Sequence, residues 1–79
     1  MDNHQIGKFI TKLRKEKGLT QQQLGERLYV TDKAVSKWER GLSLPDITLL
    51  EKLAQELDVD VSEILQGKRG KKENINVEK

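Results

Sequence analysis

Apolar residues recur along this chain at helical intervals, and no segment shows the strict alternation of a half-buried strand. Ile6, Phe9, Ile10 and Leu13 stand at i, i+3, i+4 and i+7, which predicts a first helix from about Gln5 to Lys17 with Gly18 as its stop. Two short helices are predicted next, each opening on a threonine at the N-cap position, Thr20 and Thr31. Leu19 with Leu24, and Val30 with Val35, have the hydrophobic-staple spacing, and Thr20 with Gln23 has that of a capping box. Leu28-Tyr29-Val30 leaves room only for a tight turn between the two, and Gly41 closes the second. Leu42-Ser43-Leu44-Pro45 is a connector to a fourth helix, with Asp46 as its cap and Ile47, Leu50, Leu53, Ala54 and Leu57 as its apolar stripe. Asp60 with Glu63, and Val59 with Ile64, repeat the box and staple for a short fifth helix ending at Gly67. The expected fold class is all-α, a bundle of five short helices over residues 1–67. Residues 68–79, KRGKKENINVEK, carry two apolar side chains and no periodicity, and are expected to form a basic disordered tail or linker.

The third helix has two unlike sides. At about 100° per residue from Asp32, the polar side chains Asp32, Ser36, Arg40, Lys33 and Lys37 fill an arc from roughly 0° to 140°. Ala34, Trp38 and Val35 fall at roughly 200–300° on the same wheel. Such a helix can pack one face on the protein and present an unbroken row of donors on the other. Any amphipathic surface helix has a polar face, but here the helix follows a capped partner and a tight turn. That arrangement is a helix-turn-helix, which makes DNA recognition the leading expectation.

The run Leu13-Arg14-Lys15-Glu16-Lys17-Gly18-Leu19-Thr20-Gln21, then Leu24, then Val35-Ser36-Lys37-Trp38-Glu39-Arg40-Gly41, then Leu53-Ala54 and Leu57 resembles the XRE/Cro family of helix-turn-helix repressors. The likeness extends from Ile6 to Gly67. It implies a lambda-repressor-like five-helix bundle, with Gln21, Thr31, Asp32, Lys33, Ser36 and Lys37 at the DNA and an ion pair between Arg14 and Glu39. It also implies a repressor that binds pseudo-palindromic double-stranded DNA as a homodimer, in a bacterial or phage-type cytoplasmic, nucleoid-associated setting. Two positions depart from the family pattern. Tyr29 stands in the turn where glycine or asparagine is usual, so the turn is either strained or differently shaped. Gly25 replaces the usual alanine, which permits close helix approach but lowers helix propensity by about 1 kcal/mol.

Net charge is only +2, yet its distribution is uneven. Residues 8–40 hold nine lysines and arginines against four acids, whereas residues 41–67 hold one lysine against six acids. The tail from Lys68 adds five basic and two acidic residues. Positive charge thus gathers in the half that contains the helix-turn-helix, where it would steer that face toward phosphate; the bland alternative is patterning for solubility. Cysteine is absent, which excludes disulfides and thiolate metal sites, and with one histidine, His4, a metal cluster is not expected. No apolar run approaches the ~20 residues of a membrane span, and the N-terminus lacks signal-peptide character. Hydroxyl side chains have no histidine partner at a sensible position and no glycine-rich phosphate loop is present, so neither an enzyme nor a cofactor is expected.

Residue by residue, Lys33 and Lys37 can donate to guanine O6 and N7 or to phosphate alone. Asp32 would be repelled by phosphate, so it is expected to accept from cytosine N4, bond a neighbouring lysine or serve the helix N-terminus. Gln21, first in its helix, can offer its amide and the helix-end N–H groups to a phosphate, or be a solvated surface glutamine. Ser36 lies near the centre of the arc and Arg40 farther along, toward backbone, while Trp38 is read as a packing residue. The rival reading is a protein-interaction module or antitoxin on the same fold, which would carry exposed apolar anchors on that arc rather than Asp, Ser, Arg and two Lys. Lys68-Arg69-Gly70-Lys71-Lys72 would add nonspecific phosphate attraction or serve as a linker.

Overall fold

The computed structural model describes residues 1–70. Five helices follow in order: α1 Asn3–Glu16, α2 Gln21–Leu28, α3 Asp32–Glu39, α4 Ile47–Leu57 and α5 Val61–Gln66. Among the described residues there is no strand. α1 packs against α3 and α5, α2 against α3 and α4, and α4 against α5. The expected residues 71–79 of the tail lie outside the described residues.

Capping chemistry sets the helix starts. The Thr20 hydroxyl accepts from Gln23 N–H at 3.0 Å while the Gln23 side chain accepts from Thr20 N–H at 2.9 Å, a closed capping box. Thr31 accepts from Ala34 N–H at 3.2 Å, and Asp46 from Leu49 N–H at 2.9 Å. Glu63 accepts from Asp60 N–H at 2.9 Å at the start of α5. α1 begins two residues earlier than its periodicity predicts, because the Asp2 carboxylate accepts from the N–H groups of both His4 and Gln5. A cap can extend a helix ahead of its first apolar residue, and an apolar stripe carries no trace of that.

The core is formed by Ile6, Phe9, Ile10 and Leu13 of α1, Leu24 and Leu28 of α2, Val35 and Trp38 of α3, Leu50, Leu53, Ala54 and Leu57 of α4, and Ile64 of α5. The expected stripes therefore fill it, with one correction. Ile47 is 63% exposed. It is the first residue of α4, ahead of the turn that reaches the core, so its place in the stripe does not bury it.

Two close approaches fix the recognition unit. Gly7 of α1 lies under the C-terminal end of α3: a methyl group there would overlap Glu39 O and stand 2.6 Å from Trp38 O. Both obstacles are backbone, which cannot swing aside. Gly7→Ala is expected to cost about 1–3 kcal/mol through overpacking, against the gain in helix propensity that alanine normally brings. A chemical-denaturation midpoint equal to or above that of the parent would contradict this. Gly25 is similarly placed, since a Cβ there would stand 2.7 Å from Val30 O in the turn. The loss of propensity anticipated at Gly25 is thus the cost of bringing α2 against the turn that launches α3.

Tyr29 occupies that turn with φ 60° and ψ 39°, left-handed and 90% exposed. Of the two readings of this position the structure selects strain: the turn keeps its left-handed shape and the tyrosine adopts it, with Val30 N–H closing on Gly25 O at 2.8 Å. Tyr29→Gly removes the Cβ penalty but enlarges the entropy of the unfolded chain. The expected net result is a stabilisation of about 0.5–1 kcal/mol with no loss of packing. A thermal melt in which the glycine variant unfolds earlier would show that the exposed ring makes contacts worth more than the strain.

Candidate nucleic-acid interface

On α3, Asp32, Lys33, Lys37 and Arg40 are exposed and Ser36 is partly so, while Val35 and Trp38 are buried beneath them. Trp38 is only 4% exposed, so it holds α3 on the bundle. The five polar side chains of the wheel thus share one outward side. Within it Arg40 Nε donates to Ser36 Oγ at 3.1 Å, which ties the end of the arc to its middle. Thr31 uses its hydroxyl oxygen as the N-cap of α3. Among the described residues neither Lys33 nor Lys37 takes part in an ion pair; those present join Arg14 with Glu39, Lys17 with Asp58, Arg27 with Glu56 and Arg69 with Glu16. Two uncompensated ammonium groups one turn apart remain available to an anion.

Beneath this surface lies a polar network. Arg14 Nε donates to Glu39 Oε2 at 2.6 Å and its Nη2 donates to Glu39 Oε1 at 3.1 Å, a bidentate pair whose side chains are 11% and 6% exposed. The remaining Nη1 donates to Leu19 O at 2.8 Å, joining the network to the approach of α2. Gln21 Nε2 donates to Glu39 Oε1 at 3.0 Å. The first residue of α2 is therefore held to the last residue of α3, and Gln21 is half-buried rather than a solvated surface glutamine. Burial by itself would raise the Glu39 carboxyl, but hydrogen bonds from Arg14, Gln21 and Thr11, with the guanidinium charge, outweigh it and hold the carboxyl below its ordinary value.

Sequence reasoning brought the Arg14–Glu39 pair forward only through resemblance, and it missed the third member. Gln21 and Glu39 are 18 positions apart, and nothing in their local pattern marks a contact. Gly7 was missed as well. The one available signal was a helix-destabilising residue inside an otherwise regular stripe.

The beginning of α2 adds a second feature. Thr20 caps the Gln23 N–H, which leaves the Gln21 and Gln22 N–H groups without intrahelical partners. They sit beside the Gln21 amide, at the positive end of the helix dipole. Among the described residues no group of His, Cys, Asp or Glu is arranged to hold a metal, and no helix is long and apolar enough to cross a membrane.

Comparison with known proteins matches residues 10–64 to a helix-turn-helix family, HTH_3. The HTH-type transcriptional activator BcrR of Enterococcus faecalis is 41% identical over 58 residues, 73% of this chain and 28% of BcrR. The HTH-type transcriptional regulator SinR of Bacillus subtilis is 41% identical over 64 residues, 80% of this chain and 58% of SinR. The chain thus spans less than two thirds of either relative. Among solved structures, SinR in complex with DNA superposes with a TM-score of 0.70 at 41% identity, covering 76% of this chain and 97% of that one. The restriction-modification controller protein C.AhdI of Aeromonas hydrophila superposes with a TM-score of 0.73 at 30% identity, covering 80% of this chain and 96% of that one.

Proposed function

The chain belongs to the HTH_3 helix-turn-helix family, and from that premise we propose that it is a sequence-specific DNA-binding transcription regulator. α3 enters the major groove, and α2 crosses the backbone with its N-terminus toward a phosphate. The observation that carries this is the exposed arc of Asp32, Lys33, Ser36, Lys37 and Arg40, whose two lysines have no ion-pair partner among the described residues. SinR, 41% identical over most of this chain, has been solved with DNA.

Each residue has a separate task in this reading. Lys33 and Lys37 donate to guanine edges. Asp32 accepts from cytosine N4, because a carboxylate facing phosphate would be repelled. Ser36 and Thr31 approach the groove, and Arg40, restrained by Ser36, faces the backbone beyond it. Gln21 presents the two free N–H groups of α2 to a phosphate while Glu39 holds its amide in place. Arg14 and Glu39 stay beneath the interface and fix the angle between the two helices.

A single helix of eight residues reaches only a few base pairs, and each mismatch discriminates by about 1–3 kcal/mol. Selective occupancy therefore calls for two heads, which we assign to a homodimer on a pseudo-palindromic site with half-sites about one helical turn apart. A DNA partner of this kind places the protein in the cytoplasm with the chromosome. For the sign of regulation we propose repression, since occupying a promoter needs no surface beyond the one that holds DNA; BcrR is named an activator, so the position of the operator decides this.

Selection from a randomised duplex library at two salt concentrations tests the reading. The expected result is an enriched, roughly palindromic motif that the Lys33→Ala/Lys37→Ala variant no longer selects. Binding that is salt-sensitive but sequence-blind would refute sequence specificity. Absence of binding would replace DNA recognition with a protein-interaction role for the same fold.

A further inference from the structure

α1 has a second side, turned away from α3. Gly7, Thr11 and Arg14 mark the side turned to α3. Counting about 100° per residue from Gly7, Lys8, Lys12, Gln5 and Phe9 lie at roughly 100–200°, away from α3. There they meet the chain as it leaves α5, and with Lys68 and Arg69 they line a cleft of about 270 Å³. Four cationic side chains line it, of which Arg69 is paired with Glu16 at its edge. Phe9, itself 5% exposed, and the methylene stems of the lysines give the lining its apolar share.

The wall of this cleft is held in place. Gln5 Nε2 donates to Gln66 O at 3.3 Å, Arg69 Nη2 donates to Glu16 Oε1 at 2.8 Å, and Gly70 N–H donates to Glu63 Oε2 at 2.6 Å. Gly67 makes the bend at φ 72°, and a Cβ there would stand 2.7 Å from Gln5 Cγ. Residues 68–70 are thus fastened across the cleft, with their basic side chains beside those of α1. Glu16 neutralises Arg69 and lies in the field of Lys12. Lys8 and Lys68 take part in no ion pair among the described residues. Positive charge gathered around a partly apolar lining is unfavourable for the empty protein and favourable for an anion with an apolar part.

We propose that this cleft binds a small phosphorylated ligand bearing a ring, of the size and chemistry of a mononucleotide, at a site separate from the α3 surface. The volume lies just under the usual range of about 300–1,000 Å³ for small-molecule sites, which suits one ring and a short phosphate chain. Lys8, Lys12 and Lys68 hold the phosphates, and Phe9 with the lysine stems receives the ring. The site does not depend on the DNA-binding reading, because it shares no residue with the arc.

Calorimetric titration of the full chain with ADP and with inorganic pyrophosphate tests it. The expected result is saturable ADP binding, tighter than that of pyrophosphate. Lys8→Ala/Lys12→Ala should weaken ADP by about tenfold or more, the equivalent of one or more charge-assisted hydrogen bonds. Lys33→Ala/Lys37→Ala should leave it unchanged. The substituted lysines are exposed, and an unaltered melting temperature verifies folding in both variants. Three outcomes would overturn the proposal: no saturation, ADP no tighter than pyrophosphate, or equal losses in the two variants, which would mean general attraction to a basic protein.

Discussion

Glu39→Ala is expected to destabilise the protein by about 3–5 kcal/mol and to abolish DNA binding at temperatures where the parent is folded. The substitution leaves the Arg14 guanidinium, 11% exposed, with only Leu19 O among its three present acceptor contacts. It also removes the acceptor for the Gln21 amide. An unpaired cation at that depth retains its desolvation cost without the attraction that offset it. A loss this large is about a fifth or more of the 5–15 kcal/mol that holds a typical domain folded. The paired variant Arg14→Met/Glu39→Met separates this cause from simple loss of packing. Two apolar side chains of similar length restore a dry contact, and most of the lost stability should return. If the double variant is as unstable as Glu39→Ala, the damage comes from shape and not from the stranded charge. Acid provides an independent test. The Glu39 carboxyl is held below its ordinary value, so its contribution is complete above about pH 4.3 and is lost as pH falls through the lowered native value. Denaturation midpoints should drop over that interval for the parent and hardly at all, on this group's account, for the paired variant.

The elements of the fold were legible because they are written in local code. Thr20, Thr31, Asp46 and Asp60 precede their helices by one residue, and the staples at Leu19–Leu24 and Val30–Val35 fall at fixed offsets. A reader of the chain can find such marks within five residues. Asp2 obeys the same rule but precedes a helix whose stripe begins four residues later, so periodicity set α1 too late. Ile47 shows the opposite limit: its spacing agrees with Leu50 and Leu53, but burial depends on what lies opposite, and nothing covers the first residue of α4. Contacts across the bundle were legible only through family likeness, or not at all. Gly7 against Glu39 and Gln21 against Glu39 join residues 32 and 18 positions apart, and a single sequence does not record which helices cross.

The structure adds an ordering to the candidate site. Tyr29, Gly25 and Gly7 involve only backbone geometry, yet each acts on the placement of α3. Arg14, Glu39 and Gln21 then link α1, α2 and α3 beneath the surface. The exposed arc rests on both layers, so its lysines are displayed from a rigid support. This matters because a groove-reading side chain discriminates only if its helix cannot shift to meet another base.

Lys33→Ala and Lys37→Ala should each weaken specific DNA binding by about 1–3 kcal/mol per head, or about 2–6 kcal/mol on a site occupied by two heads. Both ammonium groups are exposed and have no ion-pair partner among the described residues, so removing them costs the fold little, and the effect should fall on the complex. Their distance of four residues places them one turn apart on α3, within reach of different base pairs. Each substitution should therefore relax preference at one position of each half-site and leave the remainder of the motif intact. The slope of log affinity against log salt distinguishes this from a backbone role. A lysine that neutralises one phosphate per head contributes about 0.9 to that slope, so its removal from a two-headed complex should lower it by nearly 2 while leaving the selected sequence unchanged. A lysine donating to guanine should alter the selected sequence and leave the slope closer to its original value. Gln21→Ala provides the internal comparison, because its proposed partner is a phosphate beside the end of α2: it should weaken every sequence alike. A changed base preference in the Gln21 variant, or an unchanged one in both lysine variants, would transfer the reading of sequence from α3 to another element.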